Sequence, residues 1–467
     1  MSIRRVAAAC LASAFLVAGF TASASERSNG TAEKPIDGRR FVEPEVKPKS
    51  APDAMELKGP SCAAVERDPQ RYMKPGETVA VCFDSEAPKS LTGKRGLAAS
   101  KPESEPKRNP RAASGDGTVW CDDQEDNTIW YTRTELCAVH DHYIVVVNKN
   151  GAPIGYADGT VKQEIDTVNT STHFQEYLYY KLKDAIGDAK SITVEISAAC
   201  RPGPAECHQG PGPWEGKAPM VPGTSLDGTW LREWTGTTYQ RNLELVYTLG
   251  VTVDNGIEVG SGEAVWGYNT ADEWKVRCDN RVGTQAGCVV PAYTPTFNIN
   301  WEKYPGANAY IYAAQWKIKT HPGKEGSGEP LHREADFTTA VRNRTKVCDG
   351  SFKVQDNFTG MVDDRYIPAE FQCDEYPFAK SKESGGQLKI DSGKECKQYA
   401  LWPGYTNPAK YSIMEAHAPH GAADCARATM DKRGNEGVGG DLGRFTVSQR
   451  LLDDDAYWVH AEYILNE

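Results

Sequence analysis

Apolar and polar residues alternate along two long stretches of the chain. In HYIVVVNKNGAPIGYADGTV at 142–161, β-branched residues flank Asn150 and Gly151, and a second turn signal stands at Asp158 and Gly159, so the segment reads as paired strands. LELVYTLGVTVDNGIEVGSGEAVWGY at 243–268 repeats the pattern around Asn255 and Gly256. Between them, HFQEYLYYKLKDAIGDA at 173–189 places apolar residues at helical spacing and predicts one helix. Residues 119–300 are thus expected to form a β-rich, sandwich-like domain.

From 301 to 467 the pattern shortens. Glycines at 434, 437, 439, 440 and 443 precede Phe445, Val447, Leu451 and Leu452, which predicts a glycine-rich loop leading into a short helix. AYWVHAEY at 456–463 predicts a final strand, and the whole region an α+β domain of short elements.

The beginning of the chain reads differently. Arg4 and Arg5, an apolar run from Val6 to Phe20, and then Ala22, Ser23 and Ala24 have the order of a secretory signal peptide over residues 1–24. No later stretch is long and apolar enough to cross a bilayer, so an exported, extracellular protein without membrane insertion is expected. Residues 25–118 are rich in Pro, Lys, Glu and Ser and read as a low-complexity linker or propeptide, apart from a crosslinked island around Cys62 and Cys82.

Composition narrows the chemistry. Of 13 cysteines, Cys10 lies in the signal segment, and the 12 that remain suit disulfides. Neighbours suggest Cys62 with Cys82, Cys121 with Cys137, Cys200 with Cys207 and Cys278 with Cys288. Cys348, Cys373, Cys396 and Cys425 are left to pair among themselves. No spacing matches the Cys-x-x-Cys doublet of a structural zinc site. The net charge of -11 and the lack of dense basic patches leave any nucleic acid to be held by local chemistry.

The segment CDEYPFA at 373–379 sets Asp374 and Glu375 between a cysteine and the apolar Tyr376, Pro377 and Phe378. Carboxylates held rigidly in this way serve a hard divalent cation or act as a general base; a solvated turn is the plainer alternative. Glycosidase chemistry would need an acid on the opposite side of the bond, for which Glu383 is available.

CDEYPFA, followed by Glu383 with Gly385 and Gly386, and then by NEGVGGDLG at 435–443, resembles the NucA/NucB family of secreted bacterial deoxyribonucleases. The resemblance covers roughly the last hundred residues. It implies a ββα-metal-like, disulfide-stabilised nuclease domain over 301–467 that cuts DNA with a divalent cation, Mg²⁺ or Mn²⁺. On that resemblance Asp374 matches the general base and Glu375 the second acid of the motif. Glu383 matches the acid before the glycines, and Glu383 with Asn435 would serve the metal. Gln372 and Cys373 stand where short members carry Asp and Arg, and 388–430 forms a long insertion that Cys396 and Cys425 would staple.

Around these motifs, Lys432, Arg433, Arg444 and Arg450 are positioned to meet DNA phosphates. The cluster Glu415, His417 and His420 in the insertion, and His140 with His142 on one strand face, read more simply as solvated surface groups. Asp453, Asp454 and Asp455 read as a solvated turn. The sequence thus points to an exported endonuclease acting on extracellular DNA, with a catalytically inactive, nuclease-like binding protein as the alternative.

Overall fold

The computed structural model describes residues 49–50, 58–84, 121, 128–210, 212, 217–236, 238–267, 275–326, 328–354, 371–403, 411–417, 419, 421 and 423–463. The signal segment, most of the low-complexity region and His420 lie outside the described residues.

The first half is almost entirely strand. It runs through β1 (Lys49–Ser50), α1 (Cys62–Arg67), β2 (Val79–Asp84), β3 (Thr128–Tyr131) and β4 (Glu135–Asn148). Next come β5 (Pro153–Asp166), β6 (His173–Gly187), β7 (Ile192–Arg201), β8 (Cys207–Gln209) and β9 (Ala218–Met220). They are followed by β10 (Ser225–Trp234), β11 (Gln240–Asp254), β12 (Val259–Trp266), β13 (Lys275–Asp279) and β14 (Gly287–Val289).

Two antiparallel sheets result, one in the order β1-β3-β4-β5-β6-β10-β8 with β2 also on β4, the other β14-β13-β11-β7-β9 with β12 also on β11. They share one core, in which Ile144, Val161, Leu178 and Tyr180 of the first sheet join Ile196, Leu245, Tyr247 and Val251 of the second. This is the expected sandwich. The crosslinked island belongs to it as well, since α1 is tied by Cys62–Cys82 to β2, which pairs with β4 from Val79↔Asn148 to Asp84↔Tyr143.

The hairpin turns fall at Asn150–Gly151 and Asn255–Gly256 as the sequence predicts, but other expectations for this half fail. Asp158 and Gly159 do not turn the chain; they lie inside β5 at a register shift against β6. Glycine is required at 159 because a Cβ there would come within 2.6 Å of the His142 ring. Residues 173–187 form a strand rather than a helix. Phe174, Leu178 and Leu182 recur every four residues, which fits both periods. The buried Glu176 and Tyr180 between them establish the alternation, and pairing with β5 and β10 on both sides holds the strand.

The sandwich interior is not purely apolar. Glu176 and Arg232 form an ion pair at 2.6 Å with both side chains fully buried, and Gln163 donates to Glu176 at 2.6 Å. His140 and His142 are also interior, 5% and 0% exposed, instead of decorating the surface. Burial pushes His140 down to about 4 and holds His142 well below the ordinary histidine value, so both are neutral near pH 7.

The C-terminal region comprises β15 (Thr296–Asn298), α2 (Pro305–Lys317), β16 (Leu331–His332), α3 (Phe337–Val347), β17 (Phe371–Tyr376) and β18 (Lys397–Pro403). It continues with β19 (Tyr411–His417), β20 (Ala426–Asp431), α4 (Lys432–Ser448) and β21 (Ala456–His460). A four-stranded sheet runs β17-β20-β18-β19 and a three-stranded one β15-β21-β16. A separate core joins Tyr310, Ile311 and Ala314 of α2 to Tyr376, Tyr399, Ala428, Val438 and Tyr457.

The glycine-rich stretch is itself helical. Gly434, Gly437, Gly439, Gly440 and Gly443 all fall within the 17 residues of α4. Interior glycines cost about 1 kcal/mol each relative to alanine. The helix is held by its Asp431 cap, which accepts from the Gly434 amide at 2.8 Å, and by burial of Val438 and Leu442.

Sandwich and C-terminal region meet through buried charge. Arg450 donates to Asp279 at 2.6 and 2.9 Å and to the carbonyls of Asn169 and Gln285. Asp455 takes Arg277 at 2.7 Å and Arg133 at 3.1 Å. Arg450 is therefore a seam residue and not a phosphate contact, and the acidic turn at 453–455 is only partly solvated. All four neighbour pairings of cysteines form, and Cys348 joins Cys373 while Cys396 joins Cys425.

Removing one partner of the Glu176–Arg232 pair strands a buried charge. Glu176→Ala is expected to cost about 3–5 kcal/mol in urea unfolding. The double replacement Glu176→Leu/Arg232→Met should cost less than either single change.

Candidate active site

Strand β17 carries the acidic pair inward. Asp374 pairs with Ala428 and Glu375 with Arg427 on β20, and both carboxyls are buried, 8% and 6% exposed. On one flank, the Cys348–Cys373 bridge ties the C-terminal end of α3 to the residue before Asp374. Helix α3 starts at Asp336, whose side chain accepts from the Thr339 amide, and it buries Ala340, Asn343 and Val347. Its register places Arg344 beside the pair, with the guanidinium 3.9 Å from Glu375 and half-exposed. On the other flank, Asn435 enters from the first turn of α4.

The amide of Asn435 is oriented by its neighbours. With its oxygen towards Arg344 Nη2 at 2.8 Å, its nitrogen donates to Asp374 Oδ1 at 3.3 Å. The opposite orientation faces Gln372 and the Cys373 carbonyl, but sets nitrogen against guanidinium. Asp374 Oδ1 also accepts from the Glu375 amide at 2.9 Å.

Burial dominates the electrostatics. Removal from water, reinforced by the neighbouring Glu375 charge, pushes Asp374 up to about 8. Burial raises Glu375 too, and Arg344 opposes that rise. A carboxyl that gives up its proton near neutral pH is suited to take one from water.

The residues expected to serve a metal are not brought together. Glu383 turns to His332, with Oε1 2.7 Å from Nδ1 and Oε2 accepting from the His332 amide at 2.8 Å. Asn435 is engaged with Asp374 and Arg344. Among the described residues, no group of three or more His, Cys, Asp or Glu side chains could hold a metal ion. Glu383 and Asn435 therefore do not fit as a shared ligand pair. The Gly-Gly segment has a packing reason, because a Cβ on Gly386 would lie 2.2 Å from the Asn343 backbone of α3.

Of the residues expected to meet DNA, Lys432 and Arg433 are exposed on the first turn of α4 beside Asn435, whereas Arg444 is paired with Asp441. Glu415 pairs with Lys397 at 3.3 Å and His417 contacts the Lys394 carbonyl, so neither joins the acidic pair. Sequence reasoning missed Arg344 and His332. Arg344 lies four residues before Cys348, a signal that becomes legible only once the Cys348–Cys373 pairing is known.

Comparison with protein-family models, with curated proteins and with solved structures gives no match.

Asp374 carries a testable signature. Its folded pKa stands above the value near 4 of an unfolded aspartate, so it adds stability in acid and withdraws it as pH rises towards about 8. The thermal midpoint of the wild-type chain should fall between about pH 5 and about pH 9. Asp374→Asn, with no carboxyl to ionise there, should make that fall shallower; equal slopes would contradict the assignment.

Proposed function

We propose that the chain is an exported hydrolase of phosphodiester bonds that acts as an endonuclease on extracellular DNA. One observation carries the reading: Asp374 is held out of water on β17, with Asn435 fixing one oxygen and the half-exposed Arg344 beside it. The resemblance of CDEYPFA and NEGVGGDLG to secreted deoxyribonucleases supports it, as do six disulfides, which suit an oxidising compartment. No described helix is long and apolar enough to cross a membrane.

In this reading ionised Asp374 takes a proton from water as the water oxygen attacks phosphorus; the P–O bond to one sugar oxygen breaks, and that oxygen leaves with the electron pair and takes up a proton from solvent. Arg344 faces the phosphate, where its planar fork pairs two non-bridging oxygens and offsets the charge that builds in the transition state. Asn435 positions both groups. Lys432 and Arg433 meet flanking phosphates. The Mg²⁺ or Mn²⁺ that the resemblance implies is part of the proposal as a dependence to be measured, and no step is assigned to it.

A second reading is favoured by the His332–Glu383 contact, which engages the acid that the resemblance gives to a metal. In that reading the domain binds DNA or a protein without cutting.

Incubation of purified, oxidised protein with plasmid separates the two. Cleavage with Mg²⁺ or Mn²⁺, lost with chelator, is expected; intact plasmid under every metal condition would leave only the binding reading. Asp374→Ala should lower the rate by about 10²–10⁴-fold, the range of a positioned general base. The wild-type rate should climb with pH and level off above about pH 8.

A further inference from the structure

The seam between sandwich and C-terminal region opens into a cleft of about 910 Å³, within the range of ligand sites. Asn242, Arg277 and Arg281 line it from the sandwich, and Arg333, Asp453 and Asp455 from the other side. It lies outside the acidic pair of β17.

Its carboxylates are already engaged. Asp453 accepts from the Ala335 amide and pairs with Lys382, both at 2.9 Å, and Asp455 holds Arg277 and Arg133. Asp336, also in the wall, caps α3. Its cations are less fully used. Arg281 lies over the Tyr239 ring, 5.7 Å from the centroid, and forms no ion pair among the described residues. Arg333 donates to the Leu451 carbonyl and likewise forms no ion pair among the described residues, although Asp453, Asp455 and Asp279 lie near enough to attract it. Arg277 is 5% exposed, and its Nε has no hydrogen-bond partner although both terminal nitrogens are satisfied. Buried N–H groups left without a partner are uncommon in folded proteins.

Guanidinium groups with spare donors select phosphate oxygens, which they pair in a planar, bidentate fashion. Beside Arg281, Tyr239 is 75% exposed and offers a ring on which a base can stack. The cleft also lies at the N-terminal end of α3, while Arg344 sits eight residues further along it, about 12 Å at 1.5 Å per residue.

We propose that this cleft is an exosite for a single-stranded stretch of the DNA substrate, with Arg281 and Arg333 on successive phosphates and Tyr239 under a base. The polymer's identity rests on the hydrolase reading; the phosphate chemistry does not. The sandwich then shares in holding substrate, and the seam fixes the distance from exosite to Asp374.

The test uses the full chain with Asp374→Asn, so that the probe stays intact, and a fluorescein-labelled single-stranded 15-mer oligodeoxynucleotide followed by anisotropy. Arg281→Glu is expected to weaken binding at least tenfold, Arg333→Gln and Tyr239→Ala several-fold, with thermal midpoints confirming that each variant folds. Competition by inorganic pyrophosphate would support recognition of phosphate as such, and its failure alongside tight oligonucleotide binding would support recognition of the extended strand. Pyrophosphate binding that depends on Arg281, with no oligonucleotide binding, would overturn the DNA exosite in favour of a small phosphate ligand. Unchanged oligonucleotide affinity in Arg281→Glu would overturn it outright. In the Asp374-containing chain, Arg281→Glu should raise KM for plasmid and leave hydrolysis of bis-p-nitrophenyl phosphate unchanged. Absence of all hydrolysis in the wild type would defeat the hydrolase reading while leaving the binding result standing.

Discussion

Two carboxyl groups withdrawn from water on adjacent positions of one strand set the terms for the C-terminal region. A buried, unpaired carboxylate is costly, so such a group either keeps its proton or acquires partners. Burial and the neighbouring Glu375 charge hold the Asp374 carboxyl well above the ordinary aspartate range, and Glu375 has Arg344 nearby. The surroundings serve that arrangement: a disulfide fixes α3 against β17, the cap of α4 delivers Asn435, and Gly386 lets the following loop approach α3 closely. Loss of any one support would let water in and return Asp374 towards an ordinary aspartate.

The seam does comparable work on a larger scale. Arg133, Arg277 and Arg450 are nearly inaccessible and meet Asp279, Asp455 and backbone carbonyls, so two hydrophobic cores are joined by a polar layer whose partners are largely satisfied. Such layers contribute less to stability than to a unique fit, since one displaced partner leaves a buried charge exposed to no solvent. They also account for Asp455 and Arg450, whose charged partners lie across the seam.

Much of the sandwich is legible in the sequence because its determinants are local. Asn150–Gly151 and Asn255–Gly256 each set a hairpin through backbone geometry that glycine permits, and the four short-range disulfides follow from chain proximity. Errors arise where distant partners decide. Residues 173–187 carry a spacing that fits helix and strand alike, and only β5 and β10 resolve it. His140 and His142 look like surface groups until the second sheet covers them. The α4 glycines read as a loop because the packing that offsets their cost lies elsewhere in the chain. At the site, the acidic pair and Asn435 are visible as a motif. Arg344 is not, because a crosslink between residues 25 apart in the chain brings it there, and the contact of Glu383 with His332 is not legible because 51 residues separate the two.

The central claim, that Asp374 is a desolvated carboxyl poised to take a proton near neutral pH, is tested most directly by ¹³C NMR titration of protein labelled at aspartate carboxyl carbons. The Asp374 resonance is assigned by its absence in Asp374→Asn. A midpoint near pH 8 is predicted. A midpoint near 4, the ordinary aspartate value, would contradict the account.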